Sequence, residues 1–163
     1  METVTVRRVI AAPITDVFDW CATTTNYTRS PFVLKARLAR PGLGAPYGVG
    51  AVRLHTWLIG WFRERITAYN PPYDFDYVVD RSFPPARHEL GRMTFTEVAE
   101  GTEVVWTTTS EVRLPFGAAI TRVLVKPLIA HVFGKILDAA DQVLTSNPAS
   151  RTSPAGGRVT DQP

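Results

Sequence analysis

Between Phe32 and Val112, clusters of proline, glycine and asparagine cut the chain into short runs rich in β-branched and aromatic residues. This punctuation limits the fold more than any other feature. The breaks fall at Pro41-Gly42, residues 46–50, Asn70-Pro71-Pro72, Phe83-Pro84-Pro85 and Glu100-Gly101. Between them lie residues 34–38, 49–58, 61–69, 75–81, 88–98 and 102–112. Connections of hairpin length join antiparallel neighbours, so these six strands form a meander. A seventh strand precedes them, because Val4, Val6 and Ile10 alternate with Thr5, Arg7 and Val9 until Ala12-Pro13 stops the run.

Helices flank the meander. Ile14, Val17, Phe18 and Cys21 recur at helical spacing after Pro13, whose missing N–H costs nothing in a first turn. Residues 23–26 break that helix, and Tyr27 lies in a second short helix or a loop ending at Pro31. The last segment, residues 117–144, is the long one. Val125, Leu128, Ile129, Val132, Ile136, Ala140 and Val143 make one apolar stripe, while Ile120, Val123 and Leu124 lie on nearly the opposite face. Pro127 sits where the stripe rotates, which predicts a kink or break there. The segment before it reads either as a gate over a cavity or as a frayed end.

The fold class is therefore α+β, with a seven-stranded antiparallel sheet wrapped around a long C-terminal helix and two short helices after the first strand. One helix cannot cover such a sheet along its whole length. The remaining space is filled by large side chains or open as a pocket.

The chain has 163 residues, enough for one domain with a core that needs no metal or disulfide. Residues 1–145 are expected to form that domain. Residues 146–163, rich in proline, glycine and serine with only Val159 as a large apolar residue, are expected to form a disordered tail. Eighteen Lys and Arg against fifteen Asp and Glu leave a net charge of +3, with no clustering of the kind nucleic-acid binding needs. No apolar run is long enough to span a membrane. The single cysteine, Cys21, lies in the apolar register of the first helix and reads as a buried, inert thiol. A cytoplasmic location is the expectation, with either a monomer or a homodimer.

Several stretches resemble those of a known group. Ile10-Ala11-Ala12-Pro13 with Val17-Phe18 is similar to its junction from first strand to first helix. Residues 64–72, from Glu64 to Pro72, resemble its "E-x-V-x-x-(W/Y)-x-P-P" strand and turn, and residues 83–88 followed by Phe95 and Gly101-Thr102-Glu103-Val104 its paired later strands. Residues 112–117 resemble the lead-in to its last helix. The group is the SRPBCC superfamily of START, Bet v 1 and polyketide cyclase proteins, with the helix-grip fold, and the likeness covers about residues 4–144. The resemblance implies a cavity between sheet and C-terminal helix for apolar or amphipathic small molecules. It carries over no fixed catalytic constellation.

Residue by residue, the faces of the strands suggest what lines such a cavity. In the last strand, Trp106, Thr108 and Ser110 oppose a charged face and so look inward. By the same parity Tyr77 and Arg81 look inward or sit at the rim. Trp57 and Phe95 add apolar contacts, and Phe116 is placed at the entrance. His55 shares a face with Arg53 and Trp57 that either lines the pocket or meets water, and the faces of strand 61–69 stay open because both parities are apolar. His55 and His88 are the candidates for an acid or base; His131 reads as a surface residue. No histidine, cysteine or carboxylate pattern has metal-ligand spacing, and no cofactor is expected. The function expected is binding, or transport, of a lipid, polyketide or similar molecule. The alternatives are a polyketide cyclase or aromatase, and a protein-interaction module with a vestigial cavity.

Overall fold

The structure, a computed structural model, describes residues 1–113 and 116–146. The expected tail lies outside the described residues, apart from Ser146.

Seven antiparallel strands form one sheet in the order β1-β7-β6-β5-β4-β3-β2. They are β1 (Glu2–Ile10), β2 (Val33–Arg40), β3 (Val52–Trp57), β4 (Gly60–Asn70), β5 (Asp74–Phe83), β6 (Ala86–Val98) and β7 (Gly101–Val112). Thus β2 to β7 are a meander, and the first strand closes onto the last, with Val6 opposite Trp106. Between β1 and β2 come α1 (Ile14–Ala22) and a 3-10 turn (Thr24–Arg29). After β7 come α2 (Gly117–Ile120), a π-helical turn (Thr121–Val125) and α3 (Lys126–Thr145). The sheet grips α3, as the punctuation and the stripe together imply.

Pro127 marks the expected break, directly after a change of helix type. It sits in the first turn of α3, where no N–H is needed, and the turn before it widens to π geometry. The hydroxyl of Thr121 donates to Gly117 O and accepts from the Val112 N–H, which ties this segment to the end of β7. Val123 and Leu124 stand in solvent rather than over the interior.

Two aromatic groups fill the interior. At one end, Phe18 of α1 meets Phe75, Phe95 and Tyr69 edge-on, with ring centroids 5.2–5.9 Å apart. At the centre, Phe133 of α3 lies flat on Trp106, 3.7 Å between centroids and 9° between planes.

Bulges reset the inward face of two strands. In β4, Ile66 pairs with Tyr77 and Ala68 with Asp76, leaving Thr67 extra. Before the bulge Glu64 and Ile66 are buried; beyond it Tyr69 packs on Phe18. This is why strand 61–69 is apolar on both parities. In β5, Glu64 pairs with Val79 and Arg63 with Arg81, leaving Asp80 extra.

Candidate functional site

The sheet parts between β5 and β6. These strands pair only from Asp74 to Tyr77, against Gly91 to Thr94. Beyond that point the Val79 N–H donates to a side chain, His88 Nδ1, at 3.1 Å. A second irregularity, at Glu89, separates the β6–β7 pairs of His88 and Leu90. A cavity of about 120 Å3 lies against the split. The separated strands and the turn between them supply Val79, Ser82, Pro84, Ala86 and His88. Trp57, Phe62 and Phe133 give aromatic walls, and Val125, Leu128 and Ile129 close it from the helical side. Its polar groups are Glu64, Tyr77, Thr108 and Ser110, besides Ser82 and His88.

Of the residues singled out in the sequence, the structure brings Trp57, Tyr77, His88, Thr108 and Ser110 together around this cavity. It places the others elsewhere. Arg81 is exposed, because the extra residue Asp80 flips the parity and Ser82 takes the inward position. Phe95 is in the Phe18 cluster, where α1 covers the sheet. Trp106 is buried behind the wall, covered by Phe133. Phe116 is 86% exposed, in left-handed backbone ahead of α2. The cavity is small, about 120 Å3, since the Phe133–Trp106 stack occupies the middle of the interior. His131 is exposed, edge-on to Phe32.

His55 is buried but stands behind the wall, in a charged cluster that was not foreseen. Arg53 gives Glu64 Oε2 two hydrogen bonds, from Nε at 3.1 Å and Nη2 at 2.6 Å. His55 Nε2 lies 3.1 Å from the same oxygen, and Thr24 Oγ1 lies 3.0 Å from His55 Nε2. The Arg53 guanidinium also lies over the rings of Tyr77 and Phe75, at 5.3 and 5.4 Å. Burial pushes the Glu64 carboxyl up, but His55 and Arg53 outweigh it and hold it down to about 2. The signal for this cluster was Arg53, His55 and Trp57 at alternate positions of β3, facing Glu64 on β4. It was missed because charged residues usually mark the solvent face.

A hydrogen-bonded chain fixes the other polar wall. His88 Nδ1 accepts from Val79, so Nε2 carries the proton and donates to Thr108 Oγ1 at 2.9 Å. Tyr77 Oη accepts from Trp106 Nε1 at 2.8 Å, and the Tyr77 ring stacks on His88. Burial lowers the His88 pKa, against a smaller upward pull from Glu64. Burial also pushes the Cys21 thiol far up, consistent with an inert residue.

The lowered His88 pKa sets a pH dependence. Below the ordinary value of 6.5 the unfolded chain takes up a proton that folded His88 resists, so stability falls as pH drops through that range. His88→Asn, which keeps an acceptor near Val79, should flatten the unfolding free energy as pH falls below 6.5. Chemical denaturation at a series of pH values checks this; parallel curves for the two proteins would count against it.

An open antiparallel sheet gripping a helix, with a mostly apolar cavity between them, defines a helix-grip protein. The comparisons agree. Residues 1–145 match the family described as polyketide cyclase / dehydrase and lipid transport, and the chain belongs to that family. Its fold is similar to TTHA0849 from Thermus thermophilus, with 17% identity, TM-score 0.74, and 91% of this chain and 99% of that one covered. It is also similar to a START superfamily protein from Mycobacterium smegmatis, with 12% identity, TM-score 0.70, and 88% and 97% covered. A third likeness is to the di-domain ARO/CYC StfQ from the steffimycin biosynthetic pathway, with 21% identity and TM-score 0.60, covering 88% of this chain and 45% of that one. No curated protein sequence matches the chain. Among the described residues, no helix is long and apolar enough to cross a membrane.

Proposed function

We propose that the chain binds a small, largely apolar molecule in the cavity beside the β5–β6 split. The observation that carries this reading is the wall itself: aromatic and aliphatic faces with a few converging polar groups, the usual composition of a ligand site. Binding without turnover fits the chemistry better than catalysis. Both His88 nitrogens are engaged, one by Val79 and one by Thr108, so neither is free to take a substrate proton. Glu64, held down to about 2, is a weak base near neutral pH.

Native mass spectrometry of the freshly purified protein should show a co-purifying mass of a few hundred daltons or less, released on denaturation. A preparation always free of ligand, with no response to any apolar probe, would favour an interaction module with a vestigial cavity. A cyclase activity, suggested by the family description and the likeness to StfQ, would show as conversion of a poly-β-ketone mimic to an aromatic product.

A further inference from the structure

We propose that the cavity selects a neutral ring carrying a hydroxyl at one end and a carbonyl at the other, a hydroxyaryl ketone, and rejects a carboxylate of the same shape. This inference rests on the ligand-binding reading above and assigns the chemistry of its occupant.

Two wall residues carry the argument. Trp57 is only 6% exposed, and its indole N–H has no acceptor among the described residues. That group can only donate, so an oxygen supplied by the ligand is what completes it. Glu64 is the other. The bonds that Arg53 and His55 make to Glu64 all fall on Oε2, leaving Oε1 without a protein donor among the described residues; Arg53 Nη1 is itself buried without a partner. Glu64 reaches the cavity, whereas Arg53 and His55 do not.

The consequence is a question of sign. A ligand in this cavity meets a carboxylate and, among the described residues, no lysine or arginine. A carboxylate in place of the ketone would lie at the Trp57 end, about one ring away from the Glu64 carboxylate, with no cation lining the space between them. The hydroxyl at the other end donates to Oε1 and leaves the balance of the Arg53–Glu64–His55 cluster intact. A cation is not called for either, because that cluster already compensates Glu64.

Size and spacing narrow the class further. A cavity of about 120 Å3 suits one aromatic ring with small substituents; benzene occupies an engineered cavity of about 150 Å3. Trp57, Phe62, Phe133 and Tyr77 supply aromatic rings to its wall. Trp57 is opposite Gly60 on β4, and Glu64 lies four residues further along that strand, about 13 Å between Cα positions. Side chains reaching inward from such positions can meet the two ends of one substituted ring.

The test uses 4-hydroxyacetophenone, acetophenone and 4-hydroxybenzoate as probes, with 1H–15N NMR titration of the full chain as readout. The hydroxy ketone should bind about tenfold more tightly than acetophenone, as expected for a hydrogen bond to a charged group. It should move the Trp57 indole resonance downfield, and 4-hydroxybenzoate should bind more weakly still. Trp57→Phe, which keeps a ring but removes the donor, should cost the ketone about fivefold. Glu64→Gln, if it folds, should raise 4-hydroxybenzoate relative to the ketone. Equal affinities for the three probes, or tighter binding of 4-hydroxybenzoate, would overturn the selectivity and leave the ligand-binding reading standing. Failure of all three to perturb any cavity resonance would overturn both.

Discussion

Glu64→Ala should lower the free energy of unfolding by about 3–5 kcal/mol, the cost of removing one partner from a buried ion pair. Arg53 and Glu64 are 1% and 4% exposed, so neither charge can turn to water when its partner is lost. Removing the carboxylate strands a guanidinium left, among the described residues, with the ring faces of Phe75 and Tyr77. It also removes the acceptor of His55. Since domains are typically stable by only about 5–15 kcal/mol, the variant should be largely unfolded or shifted far down in denaturant midpoint. The double variant Arg53→Met with Glu64→Leu, which removes both charges, should be more stable than either single variant. Urea titration followed by circular dichroism reads both effects. A loss below about 1 kcal/mol for Glu64→Ala would mean that water already reaches the cluster.

The same pair sets behaviour in acid. Because the Glu64 carboxyl is held at about 2 in the folded protein, against 4.5 when free, its contribution is complete above about pH 4.5. It drains away as pH falls from there toward 2. Acid unfolding in that window should therefore be shifted or blunted in the Arg53→Met, Glu64→Leu protein.

What the sequence disclosed and what it hid follow one division. Turn punctuation and alternation are local signals, and they were enough for seven strands, their antiparallel order and the long last helix. Local parity also read Trp106, Thr108 and Ser110 correctly as inward, because β7 keeps regular pairing with β1 throughout. Parity failed where register slips. The extra residue Asp80 turned Arg81 outward and Ser82 inward, and Thr67 mixed the faces of β4. Nothing in the immediate sequence of either strand announces those bulges. The Arg53–Glu64 cluster was hidden for a different reason. A lone buried charge is improbable, and only the pairing of Arg53 with Glu64 across β3 and β4 makes two of them acceptable inside. The reach of the helix was underread as well: the stripe omitted Phe133 and Leu137, yet both are buried, and Phe133 governs how much space remains.

Gly91→Ala should be a large-effect substitution at a position that looks unimportant in sequence. Gly91 lies in the interior of β6, opposite Tyr77 on one side and Thr108 on the other. A glycine there weakens a strand unless something must come close to its backbone. Here the close neighbour is the Tyr77 ring: a Cβ on Gly91 would fall 2.1 Å from its Cζ and 2.4 and 2.5 Å from its two Cε atoms. The ring lies flat on the glycine and cannot slip aside freely, since Trp106 donates to its oxygen, His88 stacks on it and Arg53 sits over it. The methyl group must therefore displace Tyr77, at a cost of about 1–3 kcal/mol for overpacking. The lost Trp106–Tyr77 hydrogen bond adds about 1 kcal/mol. Tryptophan emission should change because the Trp106 N–H loses its acceptor, and probe binding should weaken because Tyr77 forms part of the cavity wall. The decisive measurement is a double-mutant cycle with Tyr77→Leu, which shortens the side chain above Gly91. If the clash is with the ring, Gly91→Ala should cost little in the Tyr77→Leu background, giving a coupling of about 1–3 kcal/mol. Additive losses would place the strain in the strand itself and detach Gly91 from the shape of the cavity.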